Sequence, residues 1–244
     1  MGELDFENVV FGYGGNALFN GFSASFAKEQ ISCIVGPNGC GKSTLAKLAM
    51  GLIKPASGRV LIQGRDVASL NPRERARRLG VLVQQQEAPM MTVRELAACG
   101  RFPHHGPLSR LDAQCIDETL SRAGVYDLRD RPLRSLSGGQ RQRARMAMVL
   151  AQDTPVVLLD EPTSFMDAAA CFDMMRLVRR VRERGKTVIA VIHDLNLALS
   201  VADAVFVMER GRLAAQGAPG EAVVQSAIEQ SFGVRLEHVE TPSG

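Results

Sequence analysis

Gly36-Pro37-Asn38-Gly39-Cys40-Gly41-Lys42-Ser43-Thr44 decides how this chain folds. The stretch fits G-x-x-x-x-G-K-[ST], the pattern of a phosphate-binding loop. The apolar run 31–35 before it reads as a buried strand, and residues 44–50 after it read as a helix. Strand, loop and helix together are the context the motif requires. Glycines let the backbone wrap closely round an anion. The helix N-terminus adds unpaired N–H groups and a partial positive charge. Lys42 is then placed for β- and γ-phosphates, and the Ser43 hydroxyl for Mg²⁺.

Further along, two more stretches carry the same chemistry. Leu136-Ser137-Gly138-Gly139-Gln140 offers a hydroxyl, two glycines and an amide where a helix begins. It reads as a second anion-binding helix terminus, or as a helix cap, since serine is a good N-cap residue. The two half-sites for a polyphosphate could meet within one chain or across a dimer. Val156-Val-Leu-Leu-Asp160-Glu161 is an apolar strand ending in two acids. Such a run needs burial on both faces, and ionised acids at its tip are costly without a cation. Asp160 suits a Mg²⁺ contact. Glu161 suits the orientation and deprotonation of a water for in-line attack on a γ-phosphate. The next strand, 187–193, ends in His193, a further candidate γ-phosphate contact.

Elsewhere, residues 4–11 and 21–27 alternate as antiparallel strands, and 59–63 as another. Between the first two, Tyr13 in a glycine-rich loop is equally a turn residue or a flat face for a base. Residues 72–78 carry five charged side chains and no aromatic residue, which favours a solvated helix face over nucleic acid. The strand 80–86 ends in Gln84, Gln85 and Gln86, at the strand end where ligands bind in α/β sheets. Helices at 93–100, 111–124 and 139–152 follow without strands between them, a helical insertion in an α/β core. His104 and His105 read as exposed loop residues. Residues 204–209 and 212–216 close the sheet as a hairpin.

At 244 residues and 45% hydrophobic content, one sizeable core is possible. A charged fraction of 23% describes an ordinary soluble surface, and a net charge of +3 gives no reason to expect nucleic acid. The apolar runs are strand-length, too short for a membrane span. With no signal-peptide core in the first residues, a cytosolic protein is expected. Five unpatterned cysteines fit free thiols in a reducing compartment. Cys40, beside Lys42 and a helix N-terminus, sits where a thiol pKa is lowered. Its alkylation is then expected to block nucleotide, although a side chain with no part to play is the blander reading.

The set Gly36–Thr44, Leu136–Gln140, Val156–Glu161 and His193, in this order, resembles the nucleotide-binding subunit of an ABC transporter. The likeness spans nearly the whole chain. It implies an α/β fold: a P-loop NTPase (RecA-like) core with an antiparallel β subdomain and an inserted α-helical subdomain. Residues 1–85 and 153–244 would form the core and β subdomain, and about 86–152 the helical part of one domain, 1–244. By the same likeness Gly36, Pro37, Asn38, Gly39, Cys40, Gly41, Lys42, Ser43 and Thr44 bind ATP, and Tyr13 stacks on adenine. Ser137, Gly138, Gly139 and Gln140 cover the partner subunit's ATP, and Ser164-Phe-Met-Asp167 is the loop after the base that crosses the dimer. Glu161 is the general base, His193 the γ-phosphate switch, and Gln84 links Mg²⁺ and the attacking water to the membrane partner. Mg²⁺ falls to Ser43, Gln84 and Asp160. The proline usual before that glutamine is Val83 here, and the leucine usual before Asp167 is Met166.

Thr92-Val-Arg-Glu-Leu96, Gly100-Arg-Phe-Pro103 and His193-Asp-Leu-Asn-Leu-Ala-Leu199 resemble the importers of iron–siderophore, haem and cobalamin. The implied partners are a second ATPase subunit, a pair of membrane permease subunits and, indirectly, an external substrate-binding protein. The implied location is the cytoplasmic face of the membrane. An exporter subunit, or an ABC ATPase of DNA repair or translation, is the alternative.

Overall fold

The computed structural model describes residues 2–83, 88–104 and 109–237. Strands β1 (Leu4–Tyr13) and β2 (Asn16–Phe26) form a long antiparallel hairpin. It turns on Gly14 and Gly15, both at positive φ, which a two-residue hairpin turn demands. Both strands outrun the expected 4–11 and 21–27, because pairing continues to Tyr13 and Asn16. Tyr13 therefore ends a strand instead of sitting in a loop. β3 (Ile31–Val35) leads through the phosphate-loop stretch into α1 (Lys42–Ala49). β4 (Ser57–Ile62) and the short β5 (Arg65–Asp66) join the hairpin in a four-stranded sheet ordered β2-β1-β4-β5.

After α2 (Pro72–Ala76) and β6 (Leu79–Leu82) come three helices, α3 (Val93–Cys99), α4 (Arg110–Arg122) and α5 (Gly138–Ala151), with no strand between them among the described residues. Each begins at a reciprocal cap, Thr92 with Glu95, Ser109 with Asp112, and Ser137 with Gln140. Such boxes satisfy two orphan N–H groups at once. The chain then returns to the sheet through β7 (Val156–Asp160), α6 (Ala168–Glu183), β8 (Thr187–Val191), α7 (Leu195–Val201), β9 (Ala204–Glu209), β10 (Arg212–Gly217) and α8 (Ala222–Phe232). The second sheet runs β10-β9-β3-β8-β7-β6, with only β10 antiparallel.

Alternation explains why its central strands read as unbroken apolar runs. Cys33, Val35, Val157, Leu159, Val188 and Ala190 pack into one core with α3 to α8. Ile34, Val156, Leu158, Ile189, Val191 and Phe206 face a second core shared with α1, β1, β2 and β4. Water reaches neither face, so no polar alternation is required.

Two surface expectations change. Arg73 Nε and Arg77 Nε, although on exposed residues, both donate to the Pro103 carbonyl, at 2.9 and 2.7 Å. Arg75 Nη1 donates to Val67 O at 3.3 Å and Arg78 Nη1 to Glu74 O at 3.1 Å. The basic run thus ties α2 to its neighbours instead of only facing solvent. His104 is half-buried, with Nε2 2.6 Å from the Gln152 carbonyl, rather than exposed. His105 lies outside the described residues.

Candidate nucleotide-binding site

Parallel pairing brings the carboxyl ends of β3, β8 and β7 side by side, with Asp160 in register with Val191. Ligands of open α/β sheets bind at this edge. The Gly36–Gly41 loop leaves β3 here. A Cβ on Gly36 would come within 2.2 Å of the Met208 carbonyl, so any other residue there would push the loop off β9. Gly41 caps α1, and the buried Lys42 begins it. Lys42 Nζ donates to Gly36 O at 2.6 Å and to Pro37 O at 3.0 Å. The carbonyl dipoles hold the ammonium at the mouth of the loop, where an anion would meet it.

Tyr13, Asn16, Leu18, Asn38, Gly39, Gly41, Lys42, Ser43, Thr44, Glu161 and His193 share one cleft of about 500 Å³. Residues from three distant parts of the chain, the hairpin tip, the loop and the β7–β8 edge, thus meet. Tyr13 is half exposed, its ring edge-on to Phe11 at 4.9 Å between centroids. Asn16, Ala17 and Leu18 were not foreseen. They enter because β2 begins five residues earlier than its alternation pattern suggested.

Asp160, at the tip of β7, is buried. Burial first, then the charge of Glu161, raise its carboxyl above the usual aspartate range, against a hydrogen bond from Ser43. Its Oδ1 has no hydrogen-bond partner among the described residues. An orphaned carboxylate oxygen next to a serine hydroxyl suits a hard divalent cation, which favours oxygen ligands. The donor set therefore fits Mg²⁺.

Glu161 follows at φ +53°, a left-handed conformation rare for a non-glycine residue. Its N–H donates to Val191 O at 3.1 Å, anchoring it to β8. Its Oε1 lies 2.5 Å from His193 Nε2, and its Oε2 accepts from Ser164 Oγ at 2.9 Å. A carboxylate only accepts, so the His193 ring donates from Nε2. Ser164, read from the sequence only as the start of the loop after the base, thus also touches the candidate base. Its offset of three from Glu161 resembles the spacing of a tight turn, a signal too common to single it out.

Ser137, Gly138, Gly139 and Gln140 begin α5, as expected. Ser137 Oγ accepts from Gln140 N at 3.3 Å, and Gln140 Oε1 accepts from Ser137 N at 3.0 Å. These residues do not line the cleft that holds Lys42. Asp167 caps α6, accepting from Ala170 N at 2.8 Å, and does not line it either. Gln84 lies outside the described residues. Cys40 is buried, and desolvation is the largest influence on its thiol, raising the pKa despite Lys42 nearby. Burial thus outweighs the lysine that sequence places beside it, which favours the blander reading of Cys40 as a side chain with no part to play.

The fold and the cleft define a P-loop nucleoside triphosphatase. A family model described as ABC transporter matches residues 19–164. The ferric enterobactin transport ATP-binding protein of Escherichia coli (strain K12) is 39% identical over 247 residues, 99% of this chain and 91% of that one. The hemin import ATP-binding protein of Rhodopseudomonas palustris (strain BisB18) is 39% identical over 245 residues, 96% of this chain and 90% of that one. A dimeric ATP-binding cassette solved in a post-hydrolysis state with ADP and Pi superposes with a TM-score of 0.80 at 26% identity, covering 89% of this chain and 99% of that one. The chain belongs to the ABC transporter family and is an ATP-binding, ATP-hydrolysing member of it. Among the described residues, no helix is long and apolar enough to cross a membrane.

Proposed function

We propose that this chain is the ATPase subunit of an importer for iron–siderophore or haem-type substrates. It works as a homodimer docked on a permease pair at the cytoplasmic face of the membrane, supplied by an external binding protein. The observation that carries the hydrolytic part is the convergence of Lys42, Ser43, Glu161 and His193 on one cleft beside the orphaned oxygen of Asp160. The import assignment is supported by likeness over nearly the full length to ATP-binding proteins of ferric enterobactin and hemin transport.

Lys42, Thr44 and the N–H groups of residues 38–44 hold the phosphates, and Tyr13 offers a face to the base. Ser43, Asp160 and Gln84 are the residues to hold Mg²⁺, which when bound neutralises charge on the phosphates. Glu161 takes the proton from a water as its oxygen bonds the γ-phosphorus. The bond from that phosphorus to the bridging oxygen breaks, and ADP leaves. His193 exchanges its Glu161 contact for the γ-phosphate. Because Ser137–Gln140 do not line their own chain's cleft, a role over the partner's nucleotide is favoured over an intrachain one.

The test is a pull-down of the tagged protein from native membranes in mild detergent. Recovery of a polytopic permease, with an external protein that binds an iron chelate or haem, is expected. Recovery of soluble partners alone, such as ribosomes or repair proteins, contradicts the import assignment and leaves the hydrolysis intact.

Asp160→Asn separates stability from ligand binding. A carboxyl whose pKa is raised in the fold stabilises fully at low pH, where it is protonated. That contribution is lost as pH rises through the raised value. Removing the charge is expected to raise the thermal midpoint of the nucleotide-free protein at neutral pH by a few degrees. It should also abolish the further rise that ATP and Mg²⁺ together give. Calorimetry with and without Mg²⁺-ATP checks both; a lowered midpoint in the nucleotide-free protein contradicts the account.

A further inference from the structure

We infer that Ser164 is a positioning residue for Glu161, holding its carboxylate in orientation for the attacking water; the inference rests on Glu161 being the general base. Glu161 is held at both oxygens, Oε1 by His193 at 2.5 Å and Oε2 by Ser164 at 2.9 Å. The two donors differ in kind. His193 sits beyond β8, its side chain 46% exposed, and borders the cleft, so a phosphate there competes for it. Ser164 does not line the cleft, which leaves its bond outside that competition.

The loop bearing Ser164 is built to stay in place. Ser164 N donates to Glu161 O at 3.2 Å, and Met166 N to Thr163 O at 3.3 Å. Glu161 and Phe165 bracket Ser164 with φ of +53° and +64°, conformations that persist only where the surroundings enforce them. The Phe165 carbonyl lies against Gly138 at the start of α5, where a Cβ would come within 2.8 Å of it. Asp167 then anchors the far end as the cap of α6. When His193 turns to a γ-phosphate, Oε1 is released while Oε2 stays on Ser164. The bond to Ser164 then helps hold the carboxylate plane while the contact to His193 is exchanged. Without the hydroxyl the carboxylate loses a contact that fixes its orientation at the moment of transfer.

The test compares Ser164→Ala with Ser164→Thr by steady-state phosphate release, beside Glu161→Gln. Ser164→Ala is expected to lower kcat roughly 10-fold with KM for ATP unchanged, the scale of one hydrogen bond to a charged group. Ser164→Thr, which keeps the hydroxyl, is expected to restore most of kcat. In the Glu161→Gln background, Ser164→Ala should cause no further loss. An unchanged kcat in Ser164→Ala, a KM that rises with the fall in kcat, or no recovery with threonine overturns the inference. If Glu161→Gln is inactive and Ser164→Ala turns over at the wild-type rate, only the positioning role fails. If Glu161→Gln itself turns over normally, the base assignment fails first.

Discussion

Lys42→Ala is expected to weaken ATP binding by about 10²–10⁴-fold and to remove measurable hydrolysis. The estimate comes from counting contacts. A buried ammonium offers charge-assisted hydrogen bonds to phosphate oxygens, each about 1.5–3 kcal/mol. Two of them account for the range. The substitution also takes a donor from Gly36 O and Pro37 O, which Lys42 bonds at 2.6 and 3.0 Å. The loop thus loses an internal strut as well as a ligand contact. Arginine is not a substitute, since a planar fork does not fit where a compact ammonium reaches two carbonyls. Titration calorimetry with ATP measures the effect, and a thermal melt excludes misfolding. Affinity within tenfold of the wild type would show that the phosphates sit elsewhere.

The second large effect is expected at Glu161. Glu161→Gln removes proton acceptance and little else. The amide oxygen still accepts from His193, and the amide NH₂ can donate to the Ser164 oxygen, so both contacts have counterparts. General-base catalysis contributes about 10²–10⁴-fold, and the turnover number should fall by that much. ATP affinity should stay near the wild type. On the dimer reading, the variant also accumulates as an ATP-bound dimer in size-exclusion chromatography, because closure proceeds and reopening by hydrolysis does not. Hydrolysis at the wild-type rate would falsify the assignment of Glu161 as the base.

Most of the core was legible because burial on both faces leaves a plain mark. Residues 33–35, 156–159 and 188–191 are unbroken apolar runs, and each lies in a central strand covered by two separate cores. Helix starts were legible too, since Thr92, Ser109 and Ser137 announce them chemically. Strand ends on the half-exposed sheet were not. Pairing across Tyr13 and Asn16 is decided by the partner strand and by two glycines, not by alternation. The environment of Cys40 was misjudged for a related reason. Sequence places it beside a lysine, whereas depth decides its pKa, and depth comes from packing under Gly36 and β9. Ser164 was read only as part of the loop after the base; its bond to Glu161 was not legible, because that partner is a side-chain oxygen whose direction depends on two left-handed residues.

The hydrogen bonds of Lys42 to two main-chain carbonyls have a consequence for discrimination among nucleotides. At the phosphate end the cleft concentrates a cation, a helix terminus and hydroxyls. At the base end it offers one half-exposed aromatic face on a two-residue turn. Stacking tolerates any base, since every base has a π-surface. On the proposed reading, the site counts charges along the polyphosphate more closely than it reads the base above them. Choice between adenine and guanine then falls to the relative abundance of the two triphosphates around the protein, not to its walls.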